Sequence, residues 1–231
     1  PANKQARILA DYLTGEDKQY SGSMGTSIAQ VFDLNAASTG LNEKQLKLMG
    51  EEKNKDYRTI IINQKSHAGY YPNASFLTLK LIFNDEGKIL GCQIVGKEGV
   101  DKRIDVIATS MKLNATIYDL QNLELAYAPP FSSAKDPVNM LGYVAQNLLS
   151  GMVDFIEYDE LDKMIEENKD NFTILDVTED FERQMYKIEP SYHIPLGKLR
   201  TRLDELDKNK MIITYCKIGV RSYNAMRILK A

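Results

Sequence analysis

The stretch MIITYCKIGVRS, residues 211–222, decides how the second half of this chain is read. An apolar run reaches Cys216, four residues follow, and then come Arg221 and Ser222. The run reads as a buried strand, and VRSYNAMRILKA behind it reads as a helix. Working outward, FTILDV (172–177) is a second buried strand and FIEY (155–158) a short one. DELDKMIEEN (159–168) and PLGKLRTRLDEL (195–206) are helical. Strands alternating with helices imply a parallel sheet of α/β type.

The first half has a different texture. ANKQARILADYLTG (2–15) reads as a helix stopped by glycine. SGSMGTSIAQVFDL (21–34) is a glycine–serine loop entering a strand. RTIIINQ (58–64) is β-branched. FLTLKLIF (76–83) alternates, turns through NDEGK and returns as ILGCQIVG (89–96), which marks an antiparallel hairpin. VDKRIDVIATSMKLN (100–114) is an amphipathic helix with Ile104, Ile107 and Met111 on one stripe. In LAYAPPFSSAKDPVNMLGY (125–143), Pro129, Pro130 and Pro137 forbid ladder pairing and set an extended, exposed path. VAQNLL is a short helix and SGMV a linker, so a boundary is placed near residue 150. The fold class is an α+β domain with an antiparallel sheet, joined to an α/β domain with a parallel one.

Composition bounds the function classes. The chain has 231 residues, 43% of them hydrophobic, and a formal net charge of −3. That is enough for one large or two small cores, with no bias toward nucleic acid or a membrane surface. No apolar run approaches the roughly 20 residues of a membrane span, and no signal peptide opens the chain. Cys92 and Cys216 are the two cysteines, too few for a disulfide framework, which suits a reducing, cytoplasmic setting. No metal is expected. The chain opens without methionine on a helical pattern, and a fragment of a longer protein is expected. Charge is uneven: residues 151–182 hold twelve acids against two lysines, whereas residues 183–231 hold eleven Lys/Arg against four acids. The Cys216 segment is therefore locally basic, although acidic and basic faces of one domain could simply pair.

A cysteine at the C-terminal end of a parallel strand lies where open α/β sheets bind ligands. Backbone N–H groups of the loop Lys217, Ile218, Gly219, Val220 and Ser222 can converge on its sulfur as on an anion. With Arg221 and Lys217 close by, they would favour the thiolate and make Cys216 a nucleophile. Gly219 lets the loop curl. The plain alternative is a buried strand-end thiol beside a surface arginine. Cysteine-dependent phosphatases place five residues between cysteine and arginine. Here there are four, Ser222 stands where their arginine would fall, and Tyr215 rather than histidine precedes the cysteine. A shorter loop suits one added sulfur atom better than a phosphate, so sulfur transfer is favoured. Cys92, inside a strand without basic neighbours, reads as a small buried hydrophobe.

With ILDVTEDFER (174–183), IEPSYHIPLGKLRTRLDEL (188–206) and YCKIGVRS (215–222), residues 153–231 resemble a rhodanese domain. The resemblance implies that Cys216 accepts sulfane sulfur, carries it as a persulfide and passes it to a thiol acceptor, with Arg221 and the loop stabilising the charged sulfur. Asp176 would be the family's buried strand-end aspartate, or a cap of the helix that follows. Thr178 stands where the family usually has arginine, KIEPSY (187–192) lacks the usual glycine-rich turn, and the chain stops directly after the active-site helix. A truncated domain is therefore expected.

Residues 1 to about 150 resemble the C-terminal part of a coenzyme A-disulfide reductase, in the pyridine nucleotide-disulfide oxidoreductase superfamily. PANKQARILAD, GTSIAQVFDLNAASTGLNE, HAGYYPNA and LAYAPPFSSAKDPVNMLGY carry this resemblance, the last most specifically. Joined to the rhodanese part, it implies a fused reductase–rhodanese. Residues 1–24 would end the flavin-binding domain, with Pro1, Ala2 and Asn3 near flavin. Residues 25–150 would be the dimerisation domain of a homodimer and 151–231 the rhodanese-like domain. Tyr70 or Tyr71, Tyr127 and His67 would reach the partner subunit's redox site, where a phenol can donate to a thiolate. Tyrosines simply packing an interface loop, and a surface or capping histidine, are the competing readings. FAD, NAD(P)H and coenzyme A would belong to the parent. No glycine-rich dinucleotide fingerprint is seen, so no cofactor is expected in this chain. The expected function is a fragment of a flavin-dependent coenzyme A-disulfide or persulfide reductase with a sulfurtransferase tail. The alternative is a non-catalytic dimerisation and docking fragment.

Overall fold

Residues 2–167 and 171–231 are described by a computed structural model. The chain divides into two compact units, Pro1–Tyr143 and Val144–Ala231. The first begins with helix α1 (Ala2–Leu13), followed by strands β1 (Ser27–Val31) and β2 (Leu34–Gly40), α2 (Glu43–Leu48), β3 (Arg58–Lys65), β4 (Phe76–Phe83) and β5 (Ile89–Gly96). Then come α3 (Val100–Lys112), α4 (Ile117–Asn122) and α5 (Pro137–Leu149), within which the division falls.

The five strands form one antiparallel sheet in the order β1-β2-β5-β4-β3. The hairpin read from FLTLKLIF and ILGCQIVG is its centre, with Leu79 opposite Ile94 and Leu81 opposite Cys92. Alternation along β4 buries Leu77, Leu79 and Leu81 completely, and burial extends to Ile82 and Phe83 at the strand's end. Helix α3 packs on β2 and β5 through Ile104 and Ile107, the stripe its periodicity marks. The chain after β2 crosses so close to β5 that a Cβ on Gly91 would lie 2.0 Å from the Leu41 carbonyl oxygen. Only glycine leaves room there.

Two expectations change in this half. Strand β2 comes from LNAASTG, which has no strand-like run of its own; pairing on both sides with β1 and β5 creates it. Pro137 opens a 13-residue helix rather than extending the proline-rich path. The first helical position needs no N–H and welcomes its fixed φ.

The second unit carries α6 (Tyr158–Glu166), β6 (Phe172–Asp176), α7 (Asp180–Met185), β7 (Tyr192–His193), α8 (Leu196–Leu199), β8 (Met211–Tyr215) and α9 (Val220–Leu229). Its three strands are parallel, in the order β7-β6-β8. Leu175, Val177, Ile194, Leu199, Leu206 and Ala225 form its core, with Cys216 packed against them. FIEY is not a strand: the backbone at 153–157 is irregular and α6 begins at Tyr158. PLGKLRTRLDEL does not run as one helix. It breaks into α8 and a 3-10 turn at Leu203–Glu205, which lets both Leu199 and Leu206 enter the core.

Candidate active site

Cys216 is the first residue past β8, and the loop from Lys217 to Gly219 carries the chain into α9. Gly219 adopts φ +93°, a left-handed conformation that side-chain-bearing residues rarely tolerate. That turn aims the Gly219 N–H at the Cys216 Sγ, 3.3 Å away. Ser222 closes the other side: its Oγ lies 3.8 Å from Sγ and donates to the Gly219 carbonyl at 2.8 Å. Its carbonyl accepts from Thr214 Oγ1 at 3.0 Å, tying the helix start back to β8. Burial alone would push the Cys216 thiol up. The N–H groups of Ser222, Ile218 and Gly219 and the Ser222 hydroxyl outweigh it and hold the thiol below its ordinary value. The cradle favours the thiolate, and the sulfur remains half-exposed, as a nucleophile requires.

Around the loop the charges are arranged by α7. Arg221 donates from Nη2 to Glu182 Oε1 at 2.8 Å and from Nη1 to Oε2. The Arg221 guanidinium, then the Glu179 backbone N–H, bring the Glu182 carboxyl down to about 2. Arg221 is also near enough to Cys216 for the sulfur's charge to favour its protonated form, second to Glu182. Asp176, at the end of β6, is fully buried. Its Oδ1 accepts from the Thr178 N–H at 2.9 Å and the Thr178 hydroxyl at 2.6 Å. Its Oδ2 accepts from Arg183 Nη1 at 2.9 Å and the Tyr215 hydroxyl at 2.7 Å. Burial would raise the Asp176 carboxyl, but these donors hold it below the usual carboxylate range. Asp176 does not cap α7, whose N-cap is Glu179. It buckles β6, the loop behind it and β8 together under Cys216. Arg183 supplies the cation to this carboxylate where the sequence has Thr178.

The other candidates gather in the first unit. Loop 66–75 is held by Ala68 N–H donating to the Pro129 and Ser132 carbonyls at 3.3 and 3.1 Å. Fully buried Arg103 donates to the Ser66 carbonyl at 2.8 Å and to Asp136 Oδ2 at 3.0 Å. His67 is buried rather than at the surface: Nε2 meets the Pro72 carbonyl at 2.9 Å and Nδ1 the Ser66 hydroxyl at 3.1 Å. This fixes the two tyrosines differently. Tyr71 stands edge-on to His67, whereas the Tyr70 hydroxyl lies 3.4 Å from that of Tyr127, both rings exposed. The hydrogen bond with Tyr70 raises the Tyr127 phenol. Ala2 and Asn3 are exposed on α1, and Pro1 lies outside the described residues. Among the described residues no group of three or more His, Cys, Asp or Glu could hold a metal ion, and no helix is long and apolar enough to cross a membrane.

Residues 26–137 match the pyridine nucleotide-disulphide oxidoreductase dimerisation domain, and residues 157–231 match the rhodanese-like domain. The reduced Bacillus anthracis CoADR-RHD superposes with a TM-score of 0.92 at 50% identity, covering 100% of this chain and 40% of that one. The chain is a disulphide-oxidoreductase dimerisation domain followed by a rhodanese-like domain. An NAD-dependent persulfide reductase from A. fulgidus matches at TM-score 0.87 and 42% identity, over 99% of this chain and 40% of that one. Coenzyme A disulfide reductase from Staphylococcus epidermidis is 42% identical over 147 residues, 63% of this chain and 32% of that protein. The chain thus spans about a third of the length of the curated relatives it matches.

Within the rhodanese-like domain the structure brings together Cys216, the loop 217–219, Arg221, Ser222 and Asp176. It places Tyr70, Tyr71, Tyr127 and His67 together in the dimerisation domain. Sequence reasoning passed over Glu182, Arg183 and Tyr215. The reciprocal Glu179–Glu182 capping box was the available signal for Glu182. For Arg183 and Tyr215 only the fold, which folds the 186–191 segment back over β8, reveals the role.

Proposed function

We propose that the rhodanese-like domain transfers sulfane sulfur through a persulfide on Cys216, serving a larger flavin- and NAD(P)H-dependent reductase of coenzyme A disulfides or persulfides. The observation that carries this reading is the Gly219 N–H on the Cys216 sulfur, in a loop with four residues between cysteine and arginine. The thiolate attacks the outer sulfur of a donor, the S–S bond of the donor breaks, and its remainder leaves with the electron pair. The sulfur now on Cys216 carries the negative charge, which the loop N–H groups stabilise as they did the thiolate. Attack by an acceptor thiolate returns the enzyme, so no net oxidant is needed. The relatives' names support the larger reaction: one is a coenzyme A disulfide reductase and another an NAD-dependent persulfide reductase.

The five strands of the dimerisation domain pair antiparallel throughout, so they do not make the parallel βαβ crevice that holds dinucleotides. Residues 1–24 are assigned to the end of a flavin-binding domain, 25–150 to dimerisation and 151–231 to sulfur transfer. Tyr70 and Tyr127, with Tyr71 and His67 supporting their loop, are assigned to the partner subunit's redox site of a cytoplasmic homodimer. An exposed apolar edge favours that dimer: Ile28, Val31, Phe32 and Leu34 project from the β1–β2 hairpin.

Persulfide formation on Cys216, read by intact mass after exposure to a sulfane donor, tests the central reading. One added sulfur atom, lost on adding an acceptor thiol and absent in Cys216→Ser, is the expected result. Undiminished sulfur transfer in Cys216→Ser would overturn it.

A further inference from the structure

Between α7 and β7 the segment 186–191 belongs to no helix or strand, yet it walls the opening beside Cys216. That opening, about 710 Å³, is bordered by Phe181 and Met185 of α7, by Tyr186, Lys187 and Ile188 of the segment, and by Cys216 itself. A segment outside the ladder has to be held by side chains, and two hold this one. Arg183 donates to the Ser191 hydroxyl at 2.8 Å and to the Ser191 carbonyl at 3.0 Å. The Ile188 N–H donates to the Tyr215 hydroxyl at 3.1 Å, from 27 residues away in sequence.

The direction of this second bond is set by what lies behind the phenol. The Asp176 carboxylate only accepts, so the Tyr215 hydroxyl commits its one proton to Oδ2, 2.7 Å away. Its oxygen is left to accept, and donating to a buried carboxylate strengthens it in that role. Ser191 Oγ, which accepts from Arg183, lies 3.4 Å from the phenol and can donate to it in turn. The groups that hold the charge on Cys216 Sγ come instead from Ile218, Gly219 and Ser222. The loop serves the sulfur and the phenol serves the wall. We infer that Tyr215 is a positioning residue for sulfur exchange at Cys216: backed by Asp176, its hydroxyl fixes the 186–191 wall against which an acceptor lies while Cys216 hands on its outer sulfur. This rests on the reading of Cys216 as the persulfide carrier.

The test loads Cys216 in the full chain with inorganic polysulfide, then discharges it with cyanide or with naphthalenethiol, followed by quenched intact mass. In either discharge the acceptor's electron pair attacks the outer sulfur, the S–S bond breaks, and its electron pair returns to Cys216 as the thiolate. Cyanide leaves as thiocyanate and is too small to lean on the wall, whereas naphthalenethiol leaves as its persulfide and is large enough to do so. Tyr215→Phe is expected to raise the naphthalenethiol concentration for half-maximal discharge about fivefold, the worth of one hydrogen bond. The limiting rate and the cyanide discharge should stay within about twofold, and the pH midpoint of Cys216 alkylation should not move. Amide hydrogen exchange should quicken at Ile188 and stay as it was across residues 217–222. Mere loosening of the fold would slow both acceptors together. An unchanged half-maximal concentration, or a cyanide discharge that falls as far as that of naphthalenethiol, overturns the inference while leaving Cys216 as the carrier. Failure of the wild type to take up sulfur on Cys216 overturns the carrier reading itself, and the inference with it.

Discussion

The two cysteines of this chain make opposite uses of the same side chain. Cys92 sits mid-strand in β5, wholly enclosed, and burial pushes its thiol up to about 12. Cys216 sits one residue beyond the end of β8, half-exposed, and its thiol is held below the ordinary value despite the burial it does suffer. Neither difference comes from the cysteine. A strand interior spends its backbone N–H groups on the neighbouring strands, so none can turn toward Sγ. A strand end that enters a tight loop has unspent N–H groups, and Gly219 lets them converge. Reactivity here is a property of where the ladder stops.

The sharpest way to break that contrast is to remove each sulfur. Cys216→Ser should bring sulfur transfer down to background, whereas Cys92→Ala should leave it within about twofold and cost roughly 1–2 kcal/mol of stability from the small cavity. Sulfurtransferase assays and urea titrations read the two effects. Next in size is the carboxylate beneath the loop. Asp176→Ala leaves Arg183 and the Tyr215 hydroxyl without their partner and should cost about 3 kcal/mol by denaturant titration.

In the dimerisation domain, Arg103→Met should cost a comparable ~3 kcal/mol, because Asp136 stays buried with its guanidinium gone. Loss of less than 1 kcal/mol would mean that this pair does not hold loop 66–75. Acid should act in the same direction on both domains. The carboxyls of Glu182, Asp176 and Asp136 are all lower in the fold than their ordinary values. Their contribution is therefore complete above about pH 4.5, where the unfolded carboxylates are ionised, and fades as pH falls through each lowered folded value, which for Glu182 is about 2. Urea midpoints measured from pH 7 to pH 2.5 should fall steadily across the acid end of that range. Gly219→Ala acts on stability at the same scale as Cys92→Ala. A side chain there meets open space but an unfavourable φ, costing about 1–2 kcal/mol. Relaxation of the turn should also lift the Cys216 thiol toward its ordinary value.

Much of this was legible in the residues. FLTLKLIF–NDEGK–ILGCQIVG specifies its hairpin because alternation and turn agree. VDKRIDVIATSMK specifies α3 because its apolar residues keep one helical stripe, and YCKIGVRS specifies a strand, a glycine loop and a helix start. What was not legible is decided by partners distant in sequence. LNAASTG becomes strand only between β1 and β5, and YH (192–193) only against β6. His67 is buried because Ser66 and Pro72 satisfy both ring nitrogens, which no local pattern announces. Glu182 reaches Arg221 across 39 residues of sequence. That contact turns a loop arginine, read as an anion binder, into half of an ion pair.

The most direct test of the central claim is the pH dependence of alkylation at each thiol, followed site by site with iodoacetamide and mass spectrometry under native conditions. The account predicts that Cys216 reacts with a midpoint below the ordinary thiol range of about 8.5, and that Cys92 stays unmodified until the protein unfolds. A Cys216 midpoint at or above that range, or modification of Cys92 at a similar rate in the folded protein, would contradict it.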